Sequence, residues 1–315
     1  MRKTSKFYDA NVHRDNTFTD SNVVVSGTAL TRRLHWAVWA VTPTILSAIL
    51  RKRGGFFYRT TASLVCMAAI ALYGVLASLT LPLVGKAHLI NWSVARLYYH
   101  IGGYFTGLSA TIEGKEHLRS DRPSVYVCNH QTSMDVLFMA SVFPKATAVV
   151  AKKSIKYYPF LGWYMTLSHA IFLDRKNRNN AIKEARHAAE NIHKKKTSVF
   201  LFPEGTRGHA SKLDLLPFKK GAFYMAVQAR VPVVPIVIAN YNHLYDSTVK
   251  RFLPGNVKIK VLPPVDTTNV QEDSESVDAL ANNVRDMMLN TLKEISIPPP
   301  SSLPSSSSDE SRKLQ

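Results

Sequence analysis

After Glu113 the chain alternates short apolar runs with longer mixed segments. The runs Ser124–Cys128, Thr147–Ala151, Ala170–Leu173, Ser198–Phe202, Val233–Ile238 and Val257–Leu262 have the length of buried strands, and most are rich in β-branched or aromatic residues. Between them, Asn180–Lys195 places Ile182, Ala185, Ala189 and Ile192 at spacings of three and four, which predicts a helix with one apolar stripe. Lys219–Ala229 and Glu275–Ile295 carry the same periodicity. Strands alternating with helices predict an α/β domain over 113–297, with a mixed sheet flanked by helices.

The pattern ahead of this domain is different. From Ser21 to Ile112 there is no Asp or Glu. Thr61–Val84 is free of charge over 24 residues. As a helix it reaches about 36 Å, enough for a hydrocarbon core of roughly 30 Å. A weaker run, Leu34–Leu50, is near the lower length limit for spanning and contains His35 and Pro43. Arg32, Arg33, Arg51, Lys52, Arg53, Arg59 and Lys86 flank the two runs, as suits anionic head groups. We expect a variable extension at 1–55 and a helical membrane-anchoring region at 56–112. The segment after Val84 is rich in aromatic residues and is expected along the membrane interface. If only Thr61–Val84 spans, the amino terminus and the α/β domain lie on opposite faces. A shallow hairpin entering one leaflet keeps them together. Beyond Ile297 a Pro/Ser-rich stretch, 298–315, is too poor in apolar residues to fold.

Charge narrows the choice of partners. Lys and Arg total 40 against 22 Asp and Glu, a formal charge of +18. That balance favours a polyanion: nucleic acid, an anionic membrane or phosphorylated substrates. Between Lys145 and Lys196 there are 12 Lys/Arg and 3 Asp/Glu, interleaved with Tyr157, Tyr158, Phe160 and Trp163. The apolar run argues for membrane over nucleic acid. With two cysteines, Cys66 and Cys128, a disulfide framework is not expected and a Cys-based zinc site is excluded by count.

Three segments could carry chemistry, each just past a predicted strand, where side chains face a cleft. In Asn129–Asp135, His130 can act as a base near neutral pH, and Asp135 five residues on can hold one ring nitrogen. Spacing alone leaves a structural histidine and a two-ligand metal site open as well. In Phe202–Gly208, Arg207 can fork onto phosphate oxygens, and Glu204 can position it or a substrate hydroxyl. In Phe172–Arg175, Arg175 is a second candidate phosphate clamp. Surface ion pairs remain alternatives for both. The chain contains no G-x-G-x-x-G, Walker-type loop, G-x-S-x-G or H-E-x-x-H.

The series N-H-x-x-x-x-D at 129–135, F-L-D-R at 172–175, F-P-E-G-T-R at 202–207 and V-P-V-V-P-I at 231–236 resembles the four blocks of the glycerolipid acyltransferases. The likeness is strongest to the eukaryotic 1-acyl-sn-glycerol-3-phosphate acyltransferases, and AKKSIKYYPFLGWYM and LPFKKGAF are similar to that branch too. It covers roughly Phe56 to Ile295. Each block alone is weak, whereas four in order are specific.

This resemblance implies that His130 deprotonates the sn-2 hydroxyl of lysophosphatidic acid, that Asp135 orients His130, and that the alkoxide attacks the thioester of acyl-CoA. It implies that Arg175, Glu204, Gly205, Thr206 and Arg207 hold the glycerol phosphate, and that 231–236 helps shape the acyl-donor or acceptor region. No metal or prosthetic group is implied; acyl-CoA is a co-substrate, membrane lipids are partners, and nucleic acid is not. One departure stands at His169, where the second block usually opens with Gly. A side chain there is expected to narrow the pocket near Arg175 or to shift acceptor preference. Other acceptors remain as alternatives, namely glycerol-3-phosphate or another lysophospholipid, as do transacylation and a silent membrane-binding protein of the same fold. The basic ending Arg312–Gln315 faintly resembles a retrieval signal, pointing to the endoplasmic reticulum, with lipid droplets as a second location.

Overall fold

Alternation within the central strands divides the core into two layers. In β2 (Val125–Cys128) Tyr126 and Cys128 face one layer while Val125 and Val127 face the other. β5 (Ser198–Leu201) and β6 (Val233–Ile238) alternate in the same way and are buried throughout, as expected of strands covered on both faces. The computed structural model describes residues 49–297 apart from 51–52, 119–121, 174–185, 187, 193 and 209–212. The weaker apolar run up to residue 48, most of the 1–55 extension, Asp174, Arg175, the first part of the helix expected at Asn180–Lys195, and the tail beyond 297 lie outside the described residues. The chain divides into units 1–50 and 51–315, and the second is described below.

Seven strands form one sheet in the order β1–β9–β6–β2–β5–β3–β4, with β1 at Leu108–Glu113, β3 at Thr147–Lys152, β4 at Ile171–Leu173 and β9 at Gly255–Val261. β6, β2, β5, β3 and β4 run parallel; β9 is antiparallel to β6 and parallel to β1, so the sheet is mixed. All six predicted strands are present. β1 adds a strand from within the expected anchoring region. β7 (Tyr245–Asp246) and β8 (Arg251–Phe252) form a separate two-stranded ribbon. Pro235 is tolerated in central β6 because it faces the end of β9: its carbonyl accepts from Leu262 N–H at 2.8 Å, one residue past that strand.

One layer is built from α1 (Phe56–Thr80), α2 (Ile90–Thr106), α3 (Asp135–Val142) and α4 (Leu161–Leu167). The other holds α5 (Gly221–Ala229), α6 (Ser274–Ile295) and the helical residues 188–192. Asp273 caps α6 by accepting from Glu275 and Ser276 N–H at 2.9 and 2.8 Å.

Helix α1, extended by a 3₁₀ turn to Val84, is long and apolar enough to cross a membrane, with mean hydropathy 2.2 over its most apolar window. Its buried stripe nonetheless runs nearly its whole length, through Arg59, Ser63, Cys66, Ile70, Gly74, Ala77 and Ser78. Small residues on this face allow close packing: a Cβ on Gly74 would stand 2.5 Å from the Tyr164 ring of α4. Ser63 Oγ lies 3.2 Å from Tyr98 Oη of α2. Buried Arg59 donates to Gly54 O and to Thr106 O at the carboxyl end of α2, where a cation is favoured. The large residues Leu64, Val65, Leu72, Leu76 and Leu79 point outward. α2, in the segment expected along a membrane interface, packs one face into the layer through Ile90, Val94, Tyr98 and Gly102.

Candidate active site

The carboxyl ends of adjacent strands β2 and β5 deliver the first and third blocks to one place, and β3 and β4 continue the row. β2 leads into Asn129–Met134, which opens α3 at Asp135. Asn129 prolongs the sheet with its side chain: Nδ2 donates to Ile238 O at 2.9 Å and Oδ1 accepts from Ile238 N–H at 2.8 Å. Gln131 Nε2 reaches Ile238 O and Ala239 O at 3.0 and 3.1 Å. The loop bearing His130 is therefore pinned on both sides of His130 to the end of β6.

Asp135 is fully buried. Its Oδ2 lies 2.7 Å from His130 Nδ1 and accepts from the backbone N–H groups of Gln131 and Thr132 at 2.5 and 2.8 Å. Its Oδ1 accepts from Tyr241 Oη. Donors on every side mark this group as a carboxylate, so His130 carries its proton on Nδ1 and leaves Nε2 with a lone pair. Among the described residues Nε2 has no hydrogen-bond partner. The imidazole stacks on Phe202, ring centroids 4.1 Å apart and planes 17° from parallel. The ring is thus fixed by an orienter and a platform, with 16 % of the side chain exposed.

Glu204 turns inward. Its Oε1 accepts from His130 N–H at 2.7 Å and Oε2 from Leu216 N–H at 3.0 Å, and Gly208 N–H donates to His130 O at 2.7 Å. Burial pushes its carboxyl above the usual range, against the pull of these hydrogen bonds. The expected positioning of Arg207 by Glu204 is not seen: both Glu204 oxygens hold backbone. Arg207 and Thr206 are exposed beside this loop, and Arg207 has no ion-pair partner among the described residues. Gly205 takes a left-handed backbone, φ +72°, which turns the loop. Arg175 lies outside the described residues, two positions beyond β4. β3 ends at exposed Lys152 in the same row of strand ends.

Cys128 is fully buried, and burial together with Asp135 and Glu204 raises its thiol well above the ordinary value, which makes it a poor nucleophile. Among the described residues no cluster of three His, Cys, Asp or Glu could hold a metal. His169 has φ +58°, which gives a backbone reason for glycine at that position. It sits at the start of β4, while position 175 follows the strand's end, and it lines a cavity of about 610 Å³ with Asn91, Thr147, Ile192 and Thr197. This cavity lies toward the amino ends of β3 and β5, away from His130.

Asn129, Phe202 and Tyr241 were not singled out by the sequence, though Asn129 and Phe202 stand inside the recognised blocks. The fourth block is the buried strand β6, whose end anchors the His130 loop.

Comparison with known proteins adds an independent line. The acyltransferase family matches residues 109–239. The chain is 40% identical over 244 residues to the 1-acyl-sn-glycerol-3-phosphate acyltransferase of Saccharomyces cerevisiae, covering 78% of this chain and 80% of the yeast protein. It is 38% identical over 223 residues to human 1-acyl-sn-glycerol-3-phosphate acyltransferase alpha, covering 70% and 77%. The crystal structure of the 1-acyl-sn-glycerophosphate (LPA) acyltransferase of Thermotoga maritima superposes with a TM-score of 0.61 at 26% identity, over 79% of this chain and 97% of that one.

Proposed function

The chain belongs to the 1-acyl-sn-glycerol-3-phosphate acyltransferase family, and from that premise we propose that it transfers an acyl group from acyl-CoA to the sn-2 hydroxyl of lysophosphatidic acid, forming phosphatidic acid. The observation that carries the mechanism is the 2.7 Å bond from His130 Nδ1 to buried Asp135, which leaves Nε2 as the base. Nε2 takes the hydroxyl proton as the oxygen attacks the thioester carbonyl. Collapse of the tetrahedral intermediate breaks the C–S bond, and the departing CoA sulfur receives that proton from His130. The thioester is already activated, so a base, an orienter and positioning suffice without a protein nucleophile.

Arg207, exposed beside the base, and Arg175 supply guanidinium groups for the glycerol phosphate. Glu204 holds the His130 loop; a carboxylate would repel a phosphate, so its part is indirect. Gly205 and Thr206 shape the turn that presents Arg207. Acyl-CoA serves as co-substrate, and no further cofactor enters this reaction.

Membrane attachment follows from α1. Its inner face is held by α2 and α4, so it cannot stand across a bilayer while the domain stays in water. It sinks its outward leucines into one leaflet, beside exposed Tyr157, Tyr158, Phe160 and Trp163 and the lysines at 152, 153 and 156. The endoplasmic reticulum, or lipid droplets, is the location this reading assigns. Purified protein given equal lysophosphatidic acid, other lysophospholipids and glycerol-3-phosphate, with acyl-CoA, should yield mainly phosphatidic acid by mass spectrometry. Preferential acylation of another acceptor would reassign the substrate.

A further inference from the structure

We propose that Tyr241, which lies outside all four blocks, is a positioning residue that holds Asp135 in the orientation His130 needs. The inference rests on His130 being the base. Asp135 Oδ2 is saturated by His130 Nδ1–H and the N–H groups of Gln131 and Thr132, whereas Oδ1 has Tyr241 as its sole donor among the described residues. A carboxylate fixed at one oxygen can still rock about its Cβ–Cγ bond; a second anchor on the other oxygen stops that motion. Tyr241 supplies it from across the site, 106 residues along the chain, just past the end of β6.

The anchor is itself fixed. Tyr241 is fully buried, and its ring packs on Phe138 of α3 with centroids 4.9 Å apart. Its hydroxyl lies 2.7 Å from Thr132 Oγ1. With the phenol proton directed to Asp135, Thr132 donates to the phenol oxygen, giving a relay Thr132–Tyr241–Asp135–His130. Burial and the Asp135 charge hold the phenol well above its ordinary range, so it remains a donor at every working pH. The titratable groups facing this relay are Cys128 from β2, His130, and Glu204 from the loop after β5. Without the hydroxyl, Oδ1 would be a buried acceptor with no partner, and the imidazole would lose its fixed orienter.

The test uses the full chain with Tyr241→Phe, Asp135→Asn and the double variant, measuring kcat and both KM values. Loss of one hydrogen bond to a charged group predicts a fall in kcat of about 10- to 100-fold for Tyr241→Phe, with both KM values unchanged within about twofold. In the Asp135→Asn background the same change should cost less than about twofold, because the group it holds is gone. An equal factor in both backgrounds, or a Tyr241→Phe enzyme with wild-type kcat, overturns the proposal. Should Tyr241→Phe not fold, Thr132→Val keeps the phenol and removes the hydroxyl that orients it. It should lower kcat without raising either KM, and a rise in KM with kcat intact counts against the relay. Failure of the underlying reading looks different: His130→Ala would then retain wild-type turnover, and this inference would fall with it.

Discussion

Two buried carboxylates within one loop system do different work, and their partners decide which. Asp135 gathers the imidazole, two backbone N–H groups and a phenol, so its charge orients the His130 ring. Glu204 gathers two backbone N–H groups from separate segments and ties the His130 loop to residue 216. A glutamine at 204 can accept with one oxygen only and would set an amide N–H against the other donor. Glu204→Gln should therefore lower kcat more than it raises either KM. Its effect on stability should depend on pH. Burial raises the folded carboxyl above its ordinary value, so the folded chain binds that proton more tightly than the unfolded chain. This favourable term is fully present below the unfolded value and is lost as pH rises through the folded one. Unfolding at a series of pH values should show wild type gaining on Glu204→Gln as the solution is acidified from neutrality; a pH-independent difference would contradict it. His130 and Asp135 were legible because they stand five residues apart at a strand–helix junction. Tyr241 was not, because only the fold brings it to Asp135.

At the scale of elements, strands buried on both faces announced themselves as continuous apolar runs, and the α6 stripe was read to within one residue of its start. Strand β1 escaped because it is an edge strand, half exposed along Leu108–Glu113, and directly follows an aromatic-rich helix. The start of β4 shows a local conflict. His169 adopts a left-handed backbone that an L side chain enters at about 1–2 kcal/mol, partly offset because glycine leaves the unfolded chain freer. His169→Gly should thus stabilise the protein by about 0.5–1 kcal/mol, read as a higher midpoint in chemical unfolding. A lower midpoint would mean that the imidazole makes contacts in the cavity that outweigh its backbone strain.

For the whole molecule, the notable feature is that the one helix among the described residues long and apolar enough to cross a membrane belongs to the packing of the α/β domain. Hydropathy reads α1 as an anchor, and its outward face does carry the large apolar side chains; its small inner face was invisible to a composition argument because Ser and Gly carry little apolar signal. Removing residues 1–52 should leave a folded, active, membrane-associated enzyme, since α1 and its outward apolar face lie wholly beyond that cut. Removing 1–84 strips the partner of Tyr98 and Tyr164 and exposes the faces of α2 and α4. That protein should aggregate or lose activity, and recovery of a soluble, active enzyme from it would show that α1 is a detachable anchor.

The central claim is that His130, held by Asp135, is the base for acyl transfer to the lipid hydroxyl. It is tested most directly by following phosphatidic acid formation and CoA thiol release together, from lysophosphatidic acid and acyl-CoA, with purified wild type and His130→Ala at matched folding and membrane association. The structure predicts equal amounts of the two products from wild type, and a loss of about 10²–10⁴-fold in the variant, the range a positioned base supplies. Equal turnover by the two proteins would contradict it.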